Sequence, residues 1–291
     1  MKRVRHAAGL LAFALAGCLA QSFPVEGEPE LSVIRTMGLA VVTDGKSAGF
    51  DLDGWSSVKG DPRGCRQQDF ESPDGRPGID NQFSAVVPLL DLAGEGALQA
   101  FIQNAIDEGR LLILPEISRR GRTVTLTLRR GEDVPLLGTD GKLLEDQTLA
   151  LDPLGATFGT FEGATLVETR AAPGRVSSLG APRTLSAGPF ELDLPVVVFE
   201  ILYEAHLSYA RLEVSFDEQG VGRGAMAGAV SISELRRLAK VAGERANVDI
   251  LGLLGSVLEE LADLDQDSTG ACHALSLTAT FETVPAFAYE P

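Results

Sequence analysis

The 291-residue sequence contains few aromatic and imidazole side chains: one tryptophan, three tyrosines and three histidines. Sugar rings commonly stack on aromatic faces, so the scarcity of such residues (Trp55, Tyr203, Tyr209, Tyr289) argues against a glycan-binding role. No apolar run approaches the roughly twenty residues that a bilayer-spanning helix needs. The sequence therefore predicts a globular body without a transmembrane helix.

Basic residues are also scarce, because 25 Lys and Arg face 41 Asp and Glu, giving a formal charge of −16. Such a field repels nucleic acid and anionic head groups and favours cations or basic partners, although solubility alone would also explain it. Hydrophobic residues make up 44% of the chain. This content predicts a real core, and the length suits one large domain or two small ones.

The first residues have the layout of a secretory signal peptide. Lys2, Arg3 and Arg5 precede a short apolar run that ends in Leu15-Ala16-Gly17-Cys18, with small residues directly before the cysteine. This lipobox resembles that of bacterial lipoprotein precursors. The resemblance implies that residues 1–17 are removed and that Cys18 carries lipid, including palmitate. The alternatives are an ordinary cleaved signal peptide and a core helix that ends in cysteine.

The resemblance also implies an address. The mature chain would have a formal charge of −19, since three basic residues leave with the signal. Residues 18–31, rich in Gln, Glu, Pro and Gly, are predicted to form a lipidated tether, and residues 32–291 a single domain. Leu19 stands where an Asp retains lipoproteins at the inner membrane, which implies the outer membrane, facing the periplasm or the cell surface.

The three cysteines divide into one lipid acceptor and one pair. With Cys18 acylated, Cys65 and Cys272 remain in a compartment that permits disulfides. We therefore predict a Cys65–Cys272 disulfide, with two buried free thiols as the alternative.

Periodicity predicts segregated strands and helices rather than alternating ones. Thr123 to Leu128 alternates as a half-buried strand does, the stripe from Leu98 to Ile106 predicts a core helix face that includes Phe101, and Ser231 with Glu234 forms a capping box. A second helix is expected near Asp249 to Leu261. The predicted class is α+β, with a predominantly antiparallel, sandwich-like sheet and a few packed helices.

Acidic residues concentrate in two loops, between Asp51 and Asp80 and between Asp263 and Asp267. The second resembles the first half of a helix-loop-helix calcium loop, but Ser268 replaces its turn glycine and Ala274 its bidentate Glu. The predicted disulfide would bring the loops together, which predicts a Ca²⁺ site from both (Asp69, Asp74, Asp80, Asp263, Asp265, Asp267). The alternative is neutralisation of the cluster by Arg63 and Arg66.

Two further groups of residues have chemical interest. Arg119, Arg120 and Arg122 form a basic cluster that suits an anionic group, although pairing with internal carboxylates competes with that interpretation. Glu204, His206 and Ser208 lie on one face of a predicted strand, but neighbours about 6.5 Å apart are too distant for a catalytic triad. Gly45-Lys-Ser-Ala-Gly49 matches a nucleophile elbow in letters only, because no helix follows it.

The sequence thus predicts a lipid-anchored envelope protein, a non-catalytic binding or structural module stabilised by a disulfide and by calcium. Its partners are the membrane, through the lipid, and an unknown protein or envelope polymer, but not nucleic acid. The string from Gly78 to Gln82 resembles uncharacterised bacterial envelope lipoproteins, which implies no activity. The alternative is an envelope hydrolase that uses His206 or a metal-bound water.

Overall fold

The computed structural model describes residues 29–91, 96–168, 182–198 and 201–291. The lipobox and Cys18 lie outside the described residues, and the first strand begins at Glu30, two residues inside the predicted tether. The described part contains these elements in order: β1 (Glu30–Leu39), α1 (Val87–Leu90), α2 (Ala97–Asp107), β2 (Leu112–Arg120), β3 (Thr123–Gly131), β4 (Gln147–Ala150), β5 (Thr157–Glu168), β6 (Arg183–Val198), β7 (Ile201–Phe216), β8 (Gly222–Ser231), α3 (Ile232–Ala246), α4 (Ile250–Leu261), β9 (Leu264–Gln266) and β10 (Cys272–Tyr289).

Eight of the strands form one closed antiparallel sheet, a barrel in the order β1-β2-β3-β5-β6-β7-β8-β10. Strand β10 closes it, because it pairs with β8 on one edge and with β1 on the other, from Ser32 opposite Pro285 to Leu39 opposite Ala279. The predominantly antiparallel prediction is confirmed, but one closed sheet replaces the sandwich-like arrangement. Closure satisfies the backbone groups that edge strands would leave unpaired.

Small residues allow the strands around β8 to approach closely. A Cβ added at Gly224 would lie 2.2 Å from the carbonyl oxygen of Glu213, a distance that no side chain tolerates. In β7 the pairing with β8 shifts between Ser208 and Arg211, and Tyr209 has a φ of 55°. This bulge interrupts the alternation of side chains, so Leu207 is buried while Tyr209, two residues later, is 47% exposed.

The interior is filled by aliphatic side chains from the strands and by the end of α2. Ala105 and Ile106 are fully buried, whereas Phe101 is 54% exposed, so the prediction that Phe101 belongs to the core is wrong. The reason is the orientation of α2. The side-chain amides of Gln99 and Gln103 donate to the carbonyl oxygens of Met37 and Arg35 on β1, which turns the Phe101 face towards solvent.

From Ala274 to Ala279 β10 is covered on both faces. Helices α3 and α4 pack on Leu275, and the predicted capping box is present, since the Oγ of Ser231 accepts from the backbone N–H of Glu234 at 3.2 Å. The long loop from Asp51 to Asp80 covers other residues of β8 and β10 through Leu52. Ser276 and Thr278 are consequently at most 1% exposed. The loop from Asp51 to Asp80, which covers this face of β10, carries most of the candidate site.

Candidate functional site

A disulfide ties the long loop to the start of β10, as the cysteine pairing predicted. The Cα atoms of Cys65 and Cys272 are 6.0 Å apart across a sequence separation of 207 residues. Two side-chain amides join the same segments. The Nε2 of Gln67 donates to the carbonyl oxygen of Glu260, and the Nε2 of Gln266 donates to that of Pro62, each at 2.6 Å. The acidic loop is therefore fixed against the sheet.

Three carboxylates lie close together beside Leu52, the loop residue that packs on the sheet. Asp51, Asp53 and Asp80 each place an oxygen within 4.8 Å of the others. Leu52 is 7% exposed and packs on the sheet, so its neighbours on both sides are turned to the opposite face. The Leu52 N–H donates to Asp80 at 2.6 Å, while the N–H groups of Gly54 and Trp55 donate to Asp51 and Asp53.

Two further carboxylates approach Asp80 from neighbouring segments. Asp69 accepts a 2.5 Å hydrogen bond from the Ser57 N–H. Asp263, only 3% exposed, accepts from the N–H of Ser276 at 2.8 Å and from its hydroxyl at 2.5 Å. The charges of Asp69 and Asp263 both act on Asp80. These five residues (Asp51, Asp53, Asp69, Asp80, Asp263) form what we call the acidic cluster.

Burial without a counter-charge dominates the electrostatics of the acidic cluster. Burial first, and the neighbouring carboxylates second, raise the pKa of Asp80 to about 9. Burial likewise raises the pKa of Asp263 to about 7 and that of Asp69 to about 6. Within the described ranges no Lys or Arg forms a salt bridge with any of the five, and Arg63 pairs with Asp61 instead. These surroundings favour protonated carboxyl groups or a bound cation over free carboxylates.

Three of the six predicted calcium ligands belong to the acidic cluster. Asp69, Asp80 and Asp263 belong to the cluster, but Asp74 pairs with Arg76 at 3.1 Å, and Asp265 is exposed in a left-handed conformation. Asp267 is bonded to the backbone of its own turn and to His273 at 3.0 Å. The side chains of Asp74 and Asp267 are thus bonded within their own turns or to a neighbouring strand residue, and the role of Asp74, Asp265 and Asp267 as calcium ligands stays a prediction.

Two members of the acidic cluster, Asp51 and Asp53, were not predicted as ligands from the sequence. Asp51 and Asp53 stand among seven acidic residues of one irregular loop, where spacing alone does not single them out. The pattern that would indicate them is an apolar residue, Leu52, between two carboxylates. If Leu52 is buried, alternation of side chains along the chain points both carboxylates to the same side.

The residues of the hydrolase alternative do not assemble a triad in the structure. Both ring nitrogens of His206 face carboxylates, with Nδ1 2.8 Å from Asp193 and Nε2 2.9 Å from Glu191. The hydrogen bond with Asp193 raises the pKa of His206. The Ser208 hydroxyl donates to the Ala229 carbonyl at 3.4 Å, away from the imidazole. His273 is exposed beside Asp267.

The predicted basic cluster lies at the tip of the β2–β3 hairpin. Arg119 approaches Glu30 at 4.0 Å and Glu168 at 3.9 Å, which is the pairing with internal carboxylates that competes with anion binding. Arg120 and Arg122 are exposed at the turn. Anion binding by the three arginines at this hairpin tip stays a prediction.

No protein-family model, curated protein or solved structure matches this chain. Among the described helices none has both the length and the apolar character needed to cross a bilayer. The geometry of the acidic cluster is consequently the feature on which a functional assignment depends.

Proposed function

We propose that the protein is a lipid-anchored, non-catalytic envelope module whose fold is stabilised by a calcium ion at the acidic cluster. One observation carries the calcium proposal: Asp80 and Asp263 are 2% and 3% exposed and are surrounded by further carboxylates. Ionised carboxyl groups in such surroundings repel one another and lose hydration. A bound divalent cation removes both penalties.

The donor set favours calcium over other common metals. The donors at the cluster are carboxylate oxygens, whereas zinc and copper favour thiolates and imidazoles. Calcium accepts roughly six to eight oxygens at about 2.3–2.6 Å in flexible geometry, so oxygens of one shell lie up to about 5 Å apart. The three oxygens of Asp51, Asp53 and Asp80 meet that limit, because they all lie within 4.8 Å of one another. Water would complete the shell on the open side, beside Asp51.

Calcium binding is expected to be lost on Asp80→Asn and retained on Asp74→Asn. The first change removes the central charge of the cluster, and we expect at least a tenfold weaker affinity, equivalent to about 1.4 kcal/mol. The second is the matched control, because Asp74 pairs with Arg76 outside the cluster. Calorimetric titration of chelator-treated protein at about pH 7.5 measures both. A parent protein that binds no calcium at millimolar concentration would contradict the proposal, and the cluster would then hold protons only.

The lipid anchor is supported by the sequence motif that ends at Cys18. Cys18→Ser is expected to move the protein from the membrane fraction to the soluble fraction, or to leave an unprocessed precursor, because no thiol remains to be acylated. Cell fractionation and intact-mass measurement test this. Ala20→Ser, just beyond the lipobox, serves as the control and should fractionate as the parent does. Unchanged membrane association and mass in Cys18→Ser would refute the anchor.

A further inference from the structure

The turn between β2 and β3 carries a group of exposed basic side chains, which we call the arginine tip (Arg119, Arg120, Arg122). Arg119 lies 4.0 Å from Glu30 and 3.9 Å from Glu168. Arg183 also pairs with Glu30. In the ranges that the structure describes, the other two arginines of the tip form no salt bridge. The tip and its ion-pair partners thus comprise four arginines and two glutamates, which is a local excess of positive charge on a strongly acidic protein.

The arginine tip projects from the end of the sheet at which β1 begins. Glu30 lies opposite Ile117 and Leu31 opposite Glu116 in the antiparallel β1–β2 pairing. Following β2 from Ile117 to Arg120 therefore leads in the same direction as following β1 back from Leu31 through Glu30. Three residues of strand rise about 10 Å, so the tip stands beyond Glu30 on the side towards which the chain leaves the sheet in the direction of its N-terminus.

The distance between this end of the sheet and the proposed lipid is limited by the length of the chain. Eleven residues separate Glu30 from Cys18, and at about 3.5 Å per residue they span at most about 40 Å. A lipid on Cys18 thus keeps the arginine tip within reach of a bilayer surface, where phosphate groups are concentrated. A guanidinium group suits such a surface, because it donates paired hydrogen bonds to phosphate oxygens and is always charged.

We propose that the arginine tip binds the phosphate head groups of anionic lipids in the bilayer to which Cys18 anchors the chain. This proposal rests on the lipid anchor proposed above. An acyl anchor and a basic patch act together at membranes, since the second contact strengthens the first. The acidic character of the whole protein does not prevent the contact, because exposed charges separated by more than about 8 Å are largely screened at physiological ionic strength.

A tryptophan beside the arginine tip reports this contact directly. Thr123 is exposed and lies opposite Arg120 in the hairpin. The double variant Trp55→Phe with Thr123→Trp, the reporter variant, therefore carries its only indole at the tip. It is lipidated and reconstituted into vesicles that contain a lipid with a nitroxide on its head group. With phosphatidylglycerol in phosphatidylcholine vesicles we expect at least about twofold quenching of the indole, and little in phosphatidylcholine alone, because an anionic surface attracts nearby basic residues.

Removing charge from the tip tests whether the arginines cause the quenching. An anionic membrane strengthens the binding of each nearby basic residue about fivefold. Adding Arg120→Gln and Arg122→Gln to the reporter variant is therefore expected to reduce the quenching to the level found in phosphatidylcholine alone. Salt at about 1 M should have the same effect, because the Debye length then falls to about 3 Å.

The matched control adds Arg237→Gln and Lys240→Gln to the reporter variant, which removes the same charge from exposed positions on α3. The Arg237 guanidinium lies over the Tyr203 ring, 5.4 Å from its centroid. Tyr203 stands thirteen positions along β7 from Phe216, which lies opposite Arg183, and thirteen residues of strand extend about 40 Å. The control, far from the arginine tip, should be quenched as strongly as the reporter variant itself.

The outcomes separate this proposal from the lipid anchor on which it rests. An N-terminal peptide without lipid, measured by mass, overturns the anchor and the contact together. Lipidated protein whose quenching is the same with and without phosphatidylglycerol, or is unchanged by Arg120→Gln with Arg122→Gln, overturns the contact alone. An equal loss of quenching in the α3 control also overturns it, because net charge and not the tip would then control the contact. Melting curves equal to that of the parent confirm that the variants are folded.

Discussion

Replacing Cys272 by Ser is expected to lower the melting temperature, by at most about 10–20 °C. The disulfide closes a loop across 207 positions, and the entropic model assigns such a closure about 5 kcal/mol, as an upper figure. For a domain of this size 1 kcal/mol corresponds to about 2–4 °C. The loss is expected to include calcium affinity, because the disulfide fixes the loop that carries four of the five cluster carboxylates. Thermal unfolding followed by circular dichroism measures the shift.

The matched variants make this result specific. Cys65→Ser and the double Cys65→Ser with Cys272→Ser should melt at the same temperature as Cys272→Ser, because each removes the same bond. Cys18→Ser, compared as the processed protein, should melt as the parent does. If both thiols of the native, non-reduced protein react with maleimide, the bond is absent and the prediction fails.

The metal-free protein is expected to lose stability as the pH rises from about 5 to about 8. Asp69, Asp263 and Asp80 have pKa values raised to about 6, 7 and 9, above those of the unfolded chain near 4. The folded state therefore binds more protons than the unfolded state in this range, so the free energy of unfolding falls as pH rises. Asp80 is expected to contribute most to this fall, because its pKa is raised furthest.

Calcium is expected to abolish most of this loss, because it replaces the protons that the cluster releases. At about 100 times the dissociation constant the ion adds about 2.7 kcal/mol. Melting curves at pH 5, 6, 7 and 8, in chelator and in millimolar calcium, test both statements. Asp80→Asn should flatten the dependence in chelator, since the amide does not titrate. Asp74→Asn, the control, should retain it. Equal melting of the parent at pH 5 and 8 in chelator would show that the acidic cluster does not control stability.

Contributions from other titrating groups are separable in this experiment. The hydrogen bond with His273 lowers the pKa of Asp267, so its stabilisation is lost only at pH values below this range. The raised pKa of His206 gives a slope of the same sign as that of the acidic cluster, but its side chain is 55% exposed. His206→Gln should therefore leave most of the pH dependence in place.

Local features of the fold were predictable because they depend on residues close together in the chain. The cap formed by Ser231 and Glu234 needs only one helical turn. The antiparallel pattern follows from alternation within single strands, and the pairing of Cys65 with Cys272 follows from parity once Cys18 is assigned to lipid. Each of these inferences requires no knowledge of which distant segments meet.

The sequence by itself determined the strand-rich antiparallel class, the helix caps, the cysteine pair and the crowding of carboxylates in two loops. Only the tertiary structure decided that β10 closes the sheet, that Phe101 faces solvent, and that Asp51 and Asp53 lie beside Asp80. The physical reason is that these outcomes depend on long-range pairing. Whether a carboxylate is bonded within its own turn or buried beside other carboxylates depends on which segments, distant in sequence, pack on Leu52 and Ser276.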